Sequence, residues 1–205
     1  MVAVAALYDF IGDYMDKHKE ATWRIMPTST PTIIRHCSKC NRKMEYYCSE
    51  KFRVNANQAR VDIWLIYKCS KCDSTWKLTI KKGIRPRDVP PEVFEKFINN
   101  DKALAWQYAF DRYFLKQNAC VVDYANVEYD IEGLEAADGP MTVQLQSPFI
   151  FELKLSALLA KALCVSVGQI KKLVANGAIS VNPDCDIMKY RIKADLDITI
   201  DGVND

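Results

Sequence analysis

The tetrapeptide Cys-Ser-Lys-Cys occurs twice, as Cys37–Cys40 and as Cys69–Cys72. A Cys-x-x-Cys turn lets two sulfurs converge on one point, and two such turns on adjacent hairpins supply four thiolates at tetrahedral corners. The 28 residues between Cys40 and Cys69 suffice for two strands and their turn. Asn41 and Asp73, which follow the second cysteine of each pair, suit the tight bend that such a knuckle needs. The spacing therefore predicts a closed structural zinc site in a zinc ribbon, with Cys37, Cys40, Cys69 and Cys72 as ligands. Iron also accepts four cysteines, so an iron–sulfur cluster stays as an alternative. A redox pair normally stands alone at the start of a helix, which neither turn does. Cys48, Cys120, Cys164 and Cys185 read as buried free thiols, with Cys48 and His36 as outlying ligand candidates.

The pattern around these turns is that of strands. Val61, Ile63, Leu65 and Tyr67 alternate with Asp62, Trp64, Ile66 and Lys68, and Trp76, Leu78 and Ile80 share one face of the next strand. Asn55–Gln58 reads as the hairpin turn between them. Beyond Pro90-Pro91 the periodicity turns helical. Pro91 suits a first helical position, Asp101 can cap a second helix, and Leu104, Ala105, Tyr108, Arg112 and Leu115 recur at its spacing. Near the C-terminus Leu155, Leu158, Leu159, Ala162 and Leu163 trace a helix. Ser166 and Gln169 form a capping box for the next one, and Gly177 stops it. Strands are expected at Ala178–Val181 and around Leu196, Ile198 and Ile200. The fold class is α+β in four consecutive parts: an N-terminal extension (1–21), a β-rich zinc ribbon (22–87), a helical, acidic connecting segment (88–140) and a C-terminal α/β module (141–205).

Charge is distributed unevenly along the chain. Residues 32–87 carry 14 Lys and Arg against 4 Asp and Glu, whereas residues 88–140 carry 4 against 11. A basic block of this size attracts phosphates, and interleaved aromatics such as Tyr46, Tyr47, Trp64 and Trp76 can stack on bases. The competing reading makes those aromatics ribbon core and the charges a solvated face. No apolar run approaches the roughly 20 residues of a membrane span, and no secretory signal is apparent, so the expected location is the cytoplasm. There, paired cysteines hold metal rather than disulfides.

Two resemblances add to this reading. The stretches TWRIMPTSTPTIIRHCSKC, SEKFRVNAN, VDIWLIYKCSKCDSTW and LTI resemble an uncharacterised bacterial family, domain of unknown function 1062, over roughly residues 22–200. That likeness implies a zinc-ribbon-like start and carries no established activity. LSALLAKALCVSVGQIKKLVANGAISVN, residues 155–182, is similar to the S4 RNA-binding module, with KADLDITI as its last strand. This second likeness implies RNA-facing groups at Lys154, Lys161, Lys171, Lys172, Lys189 and Arg191, to which the basic block adds Arg35, Arg42, Lys43, Arg53 and Arg60.

Function classes narrow accordingly. There is no phosphate-binding glycine loop and no His-Glu-x-x-His helix, and a four-cysteine site leaves a metal no open position for catalysis. The expectation is a non-enzymatic zinc-ribbon protein that binds nucleic acid, RNA in particular. The alternative is a protein–protein adaptor in which the S4-like part is structural.

Overall fold

The structure is a computed structural model describing residues 19–57, 59–134, 139–193 and 195–201. It is an α+β chain with two five-stranded sheets and, among the described residues, five α-helices. None of these helices is long and apolar enough to cross a membrane. Two compact units emerge, and they do not follow the four consecutive segments expected from the sequence. One unit runs from Thr28 to Glu128; the other combines the chain up to Pro27 with the chain from Tyr129 on.

In the discontinuous unit the sheet order is β7-β1-β8-β10-β9. Strand β1 (Lys19–Pro27) lies parallel to β8 (Met141–Gln146) and antiparallel to β7 (Tyr129–Glu132). Strands β9 (Ile179–Asn182) and β10 (Leu196–Ile200) complete the sheet. This placement corrects one expectation. Lys19, Glu20 and Ala21 pair with Met141, Thr142 and Val143, so the last residues of the supposed extension are strand. Strand β1 ends at Pro27, which lies opposite Tyr129. The sheet buries Trp23, Ile25, Val143, Leu145, Ile198 and Ile200 on one side. Two helices belong to this unit: α4 (Leu155–Ala162), which buries Leu155, Leu158 and Leu159, and α5 (Val167–Ala175), which buries Ile170. The Ser166–Gln169 capping box is present, and Gly177 adopts φ +81° just past the end of α5, as its sequence position requires. Gly133 (φ +78°) is irreplaceable for another reason: a Cβ there would lie 2.2 Å from the Thr22 carbonyl oxygen. Residues 1–18 of the N-terminal extension and Gln58 of the hairpin turn fall outside the described residues.

The inserted unit is built on the sheet β5-β4-β3-β2-β6. Strands β2 (Thr32–Cys37), β3 (Arg42–Asn57), β4 (Arg60–Cys69) and β5 (Thr75–Ile84) form an antiparallel meander, and the short β6 (Val121–Asp123) joins β2. Its two ends meet: Thr28 N–H donates to the Glu128 carbonyl at 2.8 Å, and Glu128 N–H donates to Ser29 Oγ at 2.9 Å. Strand β4 alternates as its sequence predicts, with Val61, Ile63, Leu65, Tyr67 and Cys69 buried.

Three helices contribute to the core on that face: α1 (Pro91–Ile98), α2 (Lys102–Phe110) and α3 (Arg112–Gln117). The periodicity from Leu104 to Leu115 suggested a single helix. It is broken at Asp111, whose extended backbone ends α2 and whose carboxylate accepts the Phe114 N–H at 2.9 Å to start α3. Docking of α1 and α2 depends on an irregularity in β3. The register slips between Cys48 and Lys51, with Glu50 at φ +57°. Glu50 Oε1 accepts from Trp106 Nε1 at 2.7 Å and pairs with Lys102 at 3.3 Å, while Asn100 Oδ1 accepts the Phe52 N–H at 2.7 Å. The Phe52 ring then meets Phe97 edge-on at 5.0 Å.

Candidate metal centre

Antiparallel pairing brings the two cysteine turns together at one end of the meander. Cys37 closes β2 and Cys69 closes β4; Cys69 lies opposite Tyr46 on β3, the strand that also pairs with β2. Both turns then reverse through a left-handed residue, Asn41 (φ +54°) in the first and Asp73 (φ +58°) in the second. The second turn is closed by Asp73 N–H donating to the Cys69 carbonyl and by Cys69 N–H donating to the Ser74 carbonyl, both at 3.0 Å. Tyr47 Oη and Lys68 Nζ hold the Asp73 carboxylate at 2.7 and 2.8 Å.

The four sulfurs lie within 4.8 Å of one another. Cys37 Sγ is 3.6 Å from Cys72 Sγ, and Cys40 Sγ is 3.9 Å from Cys69 Sγ. Metal–sulfur bonds of about 2.3 Å in a tetrahedron set the sulfurs about 3.8 Å apart. The cluster thus fits one soft divalent ion in both donor chemistry and edge length. Cys37 and Cys69 are buried, Cys40 and Cys72 partly so. Cys48, Cys120, Cys164, Cys185 and His36 lie outside this four-sulfur group.

The sulfurs are not equivalent. Ser74 Oγ stands 3.3 Å from Cys37 Sγ and 3.2 Å from Cys72 Sγ. Hydrogen bonding to Ser74 and then to Tyr46 favours the Cys37 thiolate, bringing its pKa down to about 5. Cys72 is lowered as well, again chiefly by Ser74. Cys40 is pushed up to about 12 by its hydrogen bonding with Cys72, by desolvation and by the neighbouring Cys37. A dication at the centre counters that last effect, because it stabilises all four thiolates together. Ser74 and Tyr46 were not singled out as ligand supports from the sequence. Tyr46 is more than 20 positions from Cys69, and only the β3–β4 register sets them side by side.

The basic residues expected to contact nucleic acid fall into several environments. Arg35 points to the helix side of the sheet, its guanidinium 4.0 Å from the Trp76 ring centroid and 5.7 Å from that of Tyr46. Desolvation lowers its pKa. Arg42 and Lys43 are exposed at the start of β3, and Arg42 Nε donates to the Met44 sulfur at 3.3 Å. Arg53 is exposed in mid-strand opposite Trp64, and Arg60 donates to the Gly83 carbonyl at 2.6 Å. In the other unit Lys154 precedes α4, Lys171 and Lys172 are exposed on α5, and Lys161 donates to the Tyr129 carbonyl while lying 4.1 Å from that ring's centroid.

Residues 54–185 match the family described as Protein of unknown function (DUF1062). The chain belongs to that family. Neither the curated proteins nor the solved structures contain a match to it.

Proposed function

We propose that this DUF1062 protein is a non-enzymatic, zinc-pinned nucleic-acid-binding protein whose target is RNA. The observation that carries the reading is the convergence of four sulfurs, at zinc-like spacing, on a sheet drawn from the most basic stretch of the chain. Zinc suits the site because it accepts four thiolates in a closed tetrahedron without redox chemistry, and a closed site contributes to folding rather than catalysis. The meander with a cysteine turn at the end of β2 and another at the end of β4 is what a zinc ribbon requires. In the other unit, α4, α5 and β9 follow in the order of an S4 module, and Lys171 and Lys172 are available on α5.

The test is metal analysis of protein purified without added zinc, followed by crosslinking of bound RNA in cells and titration of that binding with salt. One zinc per chain and an affinity that falls as salt rises support the proposal. A salt-independent interaction, or a protein partner captured equally well after nuclease treatment, would replace RNA with an adaptor role.

A further inference from the structure

The two faces of the inserted sheet differ sharply. The face toward α1 and α2 carries Ile63, Leu65 and Tyr67 from β4 and belongs to the apolar core. The opposite face carries the alternate residues of the same strand, Trp64, Ile66 and Lys68. Trp64 lies outside that core and stays partly exposed. Its cross-strand neighbours are Arg53 on β3 and Thr79 on β5, and those of Ile66 are Lys51 and Lys77. Lys77 Nζ stands 5.2 Å from the centroid of the Trp64 ring. Farther along, Tyr47 is 41% exposed and lies opposite Lys68.

Positive charge predominates around Trp64. Asp73 is engaged by Lys68 and Tyr47, and Asp62 accepts the Gly83 N–H at 2.7 Å. Among the described residues, the further carboxylates of this face are Glu45, beside Ile34, and the half-buried Asp123, opposite Thr32, both along its β2 edge. Among the described residues, Lys51, Arg53 and Lys77 form no ion pair with a carboxylate. Three cations without a carboxylate partner thus surround one indole, and among the described residues no helix of this unit packs on that face.

We propose that this face is a single-strand platform: Trp64 stacks on one base of an unpaired RNA segment while Lys51, Arg53 and Lys77 neutralise its phosphates. The inference rests on the RNA reading above and gives it a site. Unpaired strands are the fitting ligand because an indole can stack only on a base that has left its duplex partner. From Trp64 to Lys68 the strand advances about 13 Å, the rise of about four stacked nucleotides. Tyr47 therefore marks the far end of a footprint of that length.

The experiment uses the full-length protein with a fluorescent 12-nucleotide oligouridylate and a fully paired RNA hairpin as probes, read by anisotropy over a range of salt. The expected result is preference for the unpaired probe. Trp64→Ala weakens that binding roughly 5- to 150-fold, and Trp64→Phe restores most of it. Lys77→Ala and Arg53→Ala each reduce the log–log salt slope by about 0.7. All variants are compared at matched melting temperature, and the two cation variants decide the matter if Trp64→Ala does not fold. Unchanged binding in Trp64→Ala and in both cation variants overturns the platform while leaving RNA binding to another surface. Preference for the hairpin overturns it too. No binding of either probe at low salt removes the RNA reading itself. Loss of a nuclease-resistant protein partner in Trp64→Ala reassigns the face to protein docking.

Discussion

Cys37 and Cys72 are separated by 35 positions in the chain, yet their sulfurs stand 3.6 Å apart. Two thiolates at that distance repel unless a cation lies between them or one keeps its proton. The β-meander must therefore either hold a metal there or retain a proton on the sulfurs.

Removing one sulfur should release the ion. Cys72→Ser is expected to reduce bound metal from one per chain to near zero and to lower the melting temperature of the protein. Metal content by mass spectrometry and a thermal scan check this. A variant that keeps stoichiometric metal would show that three sulfurs suffice.

Ser74 should act on the metal without touching it. Its hydroxyl lies within hydrogen-bonding distance of two of the four sulfurs. Ser74→Ala is expected to weaken metal affinity by about 10- to 100-fold, measured by competition with a chromogenic chelator. Far-ultraviolet circular dichroism of the loaded protein should be unchanged.

Phe97 is the main anchor of α1, being 2% exposed and edge-on to Phe52 at 5.0 Å. Phe97→Ala should destabilise the inserted unit by about 3–5 kcal/mol, seen as a lower denaturant midpoint. Substituting the exposed Tyr113 should change that midpoint little.

The Cys48 thiol predicts an alkaline limit. Burial is the main cause that pushes its pKa from 9.0 up to about 12, so the folded chain keeps a proton that the unfolded chain loses. Its contribution is fully present below pH 9 and declines as pH rises through 9 to about 12. The slope from this single proton approaches 1.4 kcal/mol per pH unit, about the most that one site can give. Cys48→Ala should flatten that alkaline limb in urea denaturation measured at successive pH values. An unchanged limb would assign it to other groups, Tyr67 among them, which lies opposite Cys48 in the β3–β4 register and is itself raised by burial.

Local patterns carried much of the architecture. The alternation from Val61 to Lys68, the Asp101 cap and the Ser166–Gln169 capping box all involve residues within one element, and each occurs where the pattern placed it. The break at Asp111 escaped because an apolar repeat can run through two short helices as readily as one long one. Strand β1 escaped because Pro27 argues against a strand interior, and nothing local reveals that β8, more than 100 residues later, will supply a parallel partner.

The four cysteines were legible because their spacing is itself the geometry of the site. Which aromatics serve as core was not. Trp64 and Trp76 occupy adjacent strands in similar basic surroundings, yet Trp76 lies on the core side with Arg35 over its ring, while Trp64 lies on the other face beside Lys77. The alternation of β4 decided that two sets of residues would part company, but only the packing of α1 and α2 decided which set met water. Spacing and periodicity act over a few bonds, so the chain states them directly. The side of a sheet that is buried, and the distant strand that completes it, are set by which apolar surfaces find one another in three dimensions.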